Sequence, residues 1–216
     1  MSWEAFGNLL GEMAEGSLVS LSIFFLTLLF SLPLGLLATF GEMSRFKVVQ
    51  IPVKLYILVM RGTPLMLQLF FVFYGLKPLF GIQPQRFQAA IIAFVLNYAA
   101  YFAEIYRGGI QSIPIGQYEA GKVLGFTRGQ TFFHIILPQV VKRILPPMGN
   151  EFVTLVKDTS LAQVIVVIEL MHVTEQYATS SVSVVPFIVA AVFYLAMNLV
   201  VSLCFSLAEK KFSYYR

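Results

Sequence analysis

Residues 17–40 read SLVSLSIFFLTLLFSLPLGLLATF, an apolar run without a charged side chain. A helix needs about 20 such residues to cross the ~30 Å hydrocarbon layer of a bilayer. Pro33 and Gly35 are compatible with a membrane helix, because neighbouring helices can satisfy the backbone groups that they free. The stretch therefore predicts a membrane-spanning helix.

The composition of the whole chain extends this prediction. Of the 216 residues, 58% are hydrophobic and 12% are charged, and the mean hydropathy is +0.79. A soluble domain has roughly 45–50% apolar and ~25% charged residues. We expect an all-α, polytopic membrane protein of about five transmembrane helices, in which residues 1–216 form a single transmembrane domain.

Further apolar runs give the positions of the expected spans. These are residues 17–40, 53–76, 87–106, 145–157 and 185–207. The proline-rich stretch before the fourth span is expected to form a separate short amphipathic helix. Residues 160–168 are too few to cross alone, so we expect a re-entrant or extracytoplasmic element buried against protein.

The orientation follows from Lys and Arg near the span ends, because cytoplasmic loops are enriched in them. If the polar stretch 107–130 is cytoplasmic, the outer side keeps only Lys77, Arg86 and Lys157. The basic residues on the inner side are then Arg45, Lys47, Lys54, Arg107, Lys122, Arg128, Lys142, Arg143, Lys210, Lys211 and Arg216. We expect the N-terminus outside and the C-terminus inside. The net charge of +4 comes from these loops, so no nucleic-acid partner is expected. The acidic start MSWEAFGNLLGEMAEGS lacks the basic segment of a secretory signal, so we expect it to be retained.

Residues 116–123, GQYEAGKV, match seven of the eight positions of the phosphate-binding pattern G-x-x-x-x-G-K-[ST]. Val123 replaces the hydroxyl that binds magnesium, and Pro114 stands where a strand should precede the loop. A nucleotide site is therefore not expected. Residues 115–124 instead predict a short cytoplasmic helix that ends at Gly125. Thr127 and Gln130 have the spacing of a capping box for the next helix.

The stretch 117–139, QYEAGKVLGFTRGQTFFHIILPQ, resembles the cytoplasmic loop of ATP-binding-cassette (ABC) importer permeases. That loop has the pattern E-A-A, a Gly four residues later, then nine residues and I-x-L-P. The matching residues are Glu119, Ala120, Gly121, Gly125, Ile135, Leu137 and Pro138, with Gly121 in place of the second Ala. MRGTPLMLQLFF (60–71), AEIYRGGIQSIPIGQ (103–117) and LVKDTSLAQVI (155–165) resemble the polar amino-acid branch of the same family.

The resemblance implies a transport subunit of the bacterial cytoplasmic (inner) membrane. Its coupling loop, about residues 107–131, would present the helix around Glu119, Ala120, Gly121 and Gly125 to a separate ATPase. The implied partners are ATPase subunits, a second permease copy (homodimer) or a paralogue, and an extracytoplasmic solute-binding protein. ATP and magnesium would be bound by the partner ATPase, and no cofactor by this chain. No catalytic or metal-binding constellation is visible in the sequence.

Two acidic residues are expected to face the translocation pathway. Glu151 and Asp158 are seven residues apart and therefore lie within about 20° on one helix face, which also includes Thr154. Acids in a membrane are costly unless a cavity, water or a cation receives them. With Asn97, these residues are expected to bind a polar, cationic amino acid such as arginine, lysine or histidine. The alternative is structural: Lys157 neutralises Asp158, and Glu151 bonds to the backbone.

Two other classes of protein are less consistent with the sequence. An ion-coupled secondary amino-acid transporter would use Glu151 and Asp158 as its ion site, but such folds usually contain internal repeats, and none is apparent. A membrane enzyme would need a His/carboxylate cluster or a nucleophile-elbow motif, which the sequence lacks.

Five further charged residues carry weaker predictions. Arg61 is expected to snorkel or to pair with a backbone carbonyl near RGTP, with a role in the translocation path as the alternative. Glu104 and Arg107 are expected to form an i,i+3 ion pair. Glu169 and Glu175 are expected to be solvated or to belong to the surface that receives a binding protein.

Overall fold

The regular structure is helical throughout the part of the chain that the computed structural model describes, residues 3–212, and contains no strand there. The predicted all-α class is confirmed. The α-helices are α1 (Trp3–Glu42), α2 (Lys47–Gly62), α3 (Leu65–Phe70), α4 (Leu76–Phe80), α5 (Arg86–Gln111), α6 (Ile115–Val123), α7 (Arg128–Thr131), α8 (Leu137–Asp158), α9 (Leu170–Ser181) and α10 (Val185–Phe212). Phe71–Gly75 and Phe132–Ile136 are π-helical turns, and Thr159–Ile165 is a 3₁₀ helix. Arg216, used above for the orientation, lies outside the described residues.

Within residues 3–212, three single helices are long and apolar enough to cross a membrane: α1, α5 and α10. A fourth candidate is a bent pair, Lys47–Gly62 and Leu65–Phe80, in which the helix axis changes direction by 111°, as in a broken span or a re-entrant loop. The residues RGTP (61–64) therefore form a sharp break in the second expected span. The expected span 145–157 lies inside α8, which has 22 residues. Its charged residues make it amphipathic; they are Lys142, Arg143, Glu151, Lys157 and Asp158. The number of strongly apolar candidates is therefore three or four, against the five spans expected.

Helix α5 forms the centre of the bundle. Its side chains Phe94, Tyr98 and Phe102 are at most 2% exposed. Helix α1 packs along it so closely that a Cβ atom at Gly35 would lie 2.9 Å from the Ala99 carbonyl oxygen. Small residues allow such close approach between membrane helices. The core that supports the functional site is therefore built on one rigid, buried helix.

The segment that leads into the fourth expected span differs from the prediction. The proline-rich stretch was expected to divide into a short helix and a separate span, but residues 128–158 run as one helical segment with a π turn at Phe132–Ile136. Local π adjustments and neighbouring helices can satisfy the backbone groups that prolines free. The prolines therefore do not end the helix.

Residues 160–168 follow the prediction of a buried short element. Ala162 and Ile165 are fully buried, and Val167 is 5% exposed. The chain reverses at Val166, whose φ of 60° lies in the left-handed region. This turn brings the start of α9 back against α1.

Candidate functional site

A cavity of about 310 Å³ lies between α5, α8 and the break in the second span. All four residues predicted to bind substrate line it: Asn97, Glu151, Thr154 and Asp158. The remaining lining residues are Thr63, Pro64, Leu65, Tyr98 and Tyr101. The structure thus brings the four predicted residues together in one space, the first cavity. Their role in binding substrate stays a prediction.

The two acids of the first cavity have different surroundings. The Tyr98 hydroxyl donates a hydrogen bond of 2.7 Å to Oδ2 of Asp158. Glu151 has neither a hydrogen bond nor an ion pair within residues 3–212. The structural alternative for Glu151, a bond to neighbouring backbone, is not what the side chain does here. Glu151 is the carboxylate that remains available to a ligand.

The break in the second span is held by two amide side chains. Nε2 of Gln68 donates to the carbonyl oxygens of Met60 at 2.9 Å and Thr63 at 3.2 Å. Nδ2 of Asn97 donates to Met60 O and to Oε1 of Gln68, each at 3.0 Å. Pro64 has no N–H, and carbonyls left unpaired in an apolar interior are costly. Asn97 therefore shapes the cavity wall as well as lining it.

A second cavity, of about 400 Å³, adjoins the first. Its lining includes Glu42, Lys54, Arg61 and Glu104, and it shares Tyr101 with the first cavity. The two cavities are therefore neighbours with one common wall residue.

The ion pairs of the second cavity differ in part from prediction. The expected pair of Glu104 and Arg107 is present, with 2.5 Å between Oε2 and Nη2. Arg107 Nε also lies 3.3 Å from Oε1 of Glu42. Arg61 makes no pair with a backbone carbonyl, which was one of the two structural roles expected for it: its Nη1 lies 3.6 Å from Oε2 of Glu104. Its guanidinium carbon is 5.3 Å from the centre of the Tyr101 ring.

The short helix predicted at 115–124 is present as α6 (Ile115–Val123). It ends as expected at Gly125, whose φ of 75° is left-handed. The predicted capping box is also present: Gln130 N donates to Thr127 Oγ1 at 3.3 Å, and Thr127 N donates to Gln130 Oε1 at 2.9 Å. The local sequence signals therefore predicted α6, its end at Gly125 and the capping box correctly.

The surface of α6 suits a docking element. Glu119 and Ala120 are exposed, and so are Val123 at 87% and Leu124 at 67%. Gly121 faces inward, where an added Cβ atom would lie 2.6 Å from the Thr131 side chain. This contact explains why the second Ala of the family pattern is a Gly here.

Glu169 contradicts the prediction of a solvated or surface acid, since its side chain is fully buried. It caps α9: its Oε2 accepts from Met171 N at 2.9 Å and its Oε1 from His172 N at 2.8 Å. The hydroxyls of Ser20 at 3.1 Å and Tyr194 at 3.2 Å also donate to Oε2. Glu169 therefore joins α9 to α1 and α10. Glu175, in contrast, is exposed as predicted.

Three residues of the site were not predicted from sequence. Tyr98 and Tyr101 are separated by one helical turn on α5, and both face the cavity that Asn97 lines. For Tyr101 the available signal was its spacing of four residues to Asn97, because residues three or four apart share a helix face; Tyr98, directly after Asn97, had no such spacing. Gln68 gave no comparable signal, since its partners depend on the bend.

The chain matches a known family over most of its length. The family model described as "Binding-protein-dependent transport system inner membrane component" matches residues 31–214. The L-cystine transport system permease protein TcyB of Bacillus subtilis (strain 168) is 36% identical over 205 residues, which are 94% of this chain and 87% of that protein. The arginine transport system permease protein ArtQ of the same organism is 35% identical over 198 residues, which are 91% of this chain and 90% of that protein.

A solved structure is similar over the whole fold. It is the crystal structure of an amino acid ABC transporter with histidines. One of its chains superposes with a TM-score of 0.89 at 32% sequence identity, covering 98% of this chain and 99% of that chain.

Proposed function

The chain belongs to the family of binding-protein-dependent transport system inner membrane components, and on this premise we propose that its first cavity carries a cationic amino acid. The chain is a multi-pass permease subunit of an amino-acid ABC importer in the inner membrane. It is a transport component, and ATP hydrolysis takes place on a separate subunit. Such a permease works with an ATPase, a second permease and a periplasmic binding protein.

One observation carries the proposed preference for a positive side chain. The first cavity is lined by two acids and by no basic residue, and Glu151 has no hydrogen bond and no ion pair in the described part of the chain. At an effective dielectric constant of ~20, two unit charges 4 Å apart attract each other by about 4 kcal/mol. A guanidinium or ammonium group would gain such an interaction, whereas an acidic side chain would be repelled.

The substrates of the relatives support the class of substrate but not its charge. Two relatives of nearly equal identity are named for L-cystine and for arginine. Overall similarity therefore does not decide between a cationic and a neutral amino acid. The proposal depends on the cavity residues Glu151, Asp158, Thr154 and Asn97.

Three further features belong to the proposal. Residues 1–216 form one permease domain, whose N-terminus lies outside and whose C-terminus lies inside. The exposed helix α6, with Glu119 and Ala120 on its surface, transmits the ATPase cycle through the Gly125 turn. ATP and magnesium are bound by the ATPase alone.

An ion-coupled secondary transporter is not favoured. The family match extends over residues 31–214, so the same acids are better explained as part of an ATP-driven permease. The two mechanisms also differ in their energy source, which makes them separable in proteoliposomes.

The proposed substrate class is tested by neutralising Glu151 in the assembled importer. Glu151→Gln keeps the volume but removes the charge. We expect the KM for arginine uptake to rise about 10- to 100-fold, the amount that a hydrogen bond to a charged group contributes. Uptake of glutamine, if any, should change much less, and basal ATP hydrolysis should persist.

Glu15→Gln serves as the matched control, because it removes the same charge from an exposed position outside both cavities. If arginine KM is the same in Glu151→Gln and in the control, the acid does not bind substrate and the cationic preference is wrong. Uptake driven by an ion gradient without ATPase subunits would contradict the transport class itself.

A further inference from the structure

The two cavities lie one after the other along α5. Asn97 and Tyr98 line only the first cavity, Glu104 lines only the second, and Tyr101 lines both. At a rise of 1.5 Å per residue, Asn97 and Glu104 are about 10 Å apart along the helix axis. A solute that moves along α5 from one cavity to the other must therefore pass Tyr101.

Arg61 stands at this common wall. Its guanidinium carbon lies 5.3 Å from the Tyr101 ring centre, within the ~6 Å range of a cation–π contact. Its Nη1 lies 3.6 Å from Oε2 of Glu104, and its side chain is 42% exposed. A distance of 3.6 Å is too long for a hydrogen bond, whereas Arg107 holds the same carboxylate oxygen at 2.5 Å. Arg61 is thus the loosely held partner of Glu104.

We propose that Arg61 and Tyr101 form a charge-selective gate between the two cavities. The inference rests on the proposed function and adds to it the residues that decide which amino acid passes. A substrate guanidinium or ammonium group offers the Tyr101 ring and Glu104 the same contacts that Arg61 makes. It can therefore take the place of Arg61 against the Tyr101 ring and beside Glu104, which keeps its ion pair with Arg107. A neutral side chain cannot do so, and the gate stays closed to it.

The charges on either side fit this exchange. The first cavity contains Glu151 and Asp158, and the second contains Glu42 and Glu104 together with Lys54 and Arg61. A cationic side chain therefore meets carboxylates before and after the gate. Arg61 supplies the positive charge that a substrate has to displace, and this makes it a specificity-determining residue.

The gate is tested with the reconstituted importer, including its ATPase, second permease and binding protein. The measured quantities are kcat/KM for arginine and for glutamine uptake, and the amino acids imported per ATP. In Arg61→Gln the ratio of arginine to glutamine kcat/KM should fall about tenfold, since the lost discrimination is of the size of one cation–π contact. Arg61→Lys keeps the charge and should restore most of the ratio.

A matched pair at Tyr101 gives an independent test in case Arg61→Gln fails to assemble. Tyr101→Phe keeps the ring face and should keep the ratio. Tyr101→Leu removes the ring and should lower the ratio and the number of amino acids imported per ATP. Arg45→Gln is the control: Arg45 also lies over an aromatic ring, at 5.1 Å from Phe46, but lines neither cavity.

The outcomes separate the gate from the proposed function. A wild-type importer that moves no amino acid with ATP contradicts the function. A wild type that prefers neutral amino acids contradicts both the cationic assignment and the gate. A wild type that prefers arginine, together with an unchanged ratio in Arg61→Gln and Tyr101→Leu, contradicts the gate alone. A purely structural Arg61 would lower both kcat/KM values equally and leave their ratio unchanged.

Discussion

At the scale of single residues, Glu169 shows how burial and hydrogen bonding oppose each other. Full burial raises the pKa of Glu169 from 4.5 to about 7, although four hydrogen-bond donors act to lower it. The residue precedes α9 and belongs to none of the candidate membrane spans. It therefore titrates near neutral pH on a part of the fold that links three helices.

The pKa of Glu169 predicts a specific pH dependence of stability. Between about pH 4.5 and pH 7 the folded protein holds a proton on Glu169 that the unfolded chain has released, so the free energy of unfolding falls as pH rises. The contribution lost is on the order of 3 kcal/mol at most. Glu169→Gln cannot titrate and should remove this part of the decline. Thermal unfolding of the wild-type protein and of Glu169→Gln at several pH values measures this contribution. If the melting temperatures of the two proteins change by the same amount from about pH 5 to pH 8, Glu169 does not titrate in that range.

The environment of Glu169 could not be predicted from sequence, whereas that of Glu151 could in part. The burial of Glu169 depends on Ser20 and Tyr194, which are 149 and 25 residues away. The shared face of Glu151, Thr154 and Asp158 depends only on helical periodicity within one element. Sequence reasoning could not tell the two cavity acids apart, because the bond from Tyr98 to Asp158 joins different helices.

At the scale of elements, the left-handed turn at Gly125 offers a clean test of the coupling loop. An added Cβ atom would meet nothing within 4 Å there, but the φ of 75° is strained for any residue other than Gly. Gly125→Ala should therefore cost about 1–2 kcal/mol. We also expect it to weaken ATPase association, because the turn sets the end of α6. Co-purification of the ATPase and the transport rate are the measurements.

Gly81 provides the matched control for that experiment. It has a φ of 71° and equally open space, but it lies outside the coupling loop. Gly81→Ala should lower stability by a similar amount and leave the ATPase bound. If both variants retain the ATPase and transport equally well, Gly125 has no role in coupling.

The elements also differ in how far apart along the chain the residues that determine their structure lie. Helix α6 and its caps were predicted because their signals span only residues 115–130. The 111° bend could not be predicted from the local sequence, since its geometry depends on Asn97, which lies 37 residues from Met60. The continuous helix through 128–158 was not predicted, because it depends on the π turn and on neighbouring helices that satisfy the backbone groups freed by the prolines.

At the scale of the whole molecule, the membrane orientation is open to direct measurement. In a background with Cys204 replaced by Ser, cysteines are placed at Ser180 in α9 and at Val123 in α6, both of them exposed. We expect an impermeant thiol reagent to label Ser180→Cys in intact cells. Val123→Cys should react only after the membrane is permeabilised. Labelling of Val123→Cys from outside would reverse the topology and exclude α6 as the coupling helix.

The bend in the second span also sets a condition on how the protein is made. Each half of the pair, Lys47–Gly62 and Leu65–Phe80, contains 16 residues and is about 24 Å long. This is less than the ~30 Å thickness of the hydrocarbon layer. A nascent chain that ends at Gly62 therefore presents a segment too short to be held in the bilayer by itself. We therefore expect this pair to integrate stably only after Phe80 has left the ribosome, so that the break that shapes the cavity also affects the order of events during synthesis.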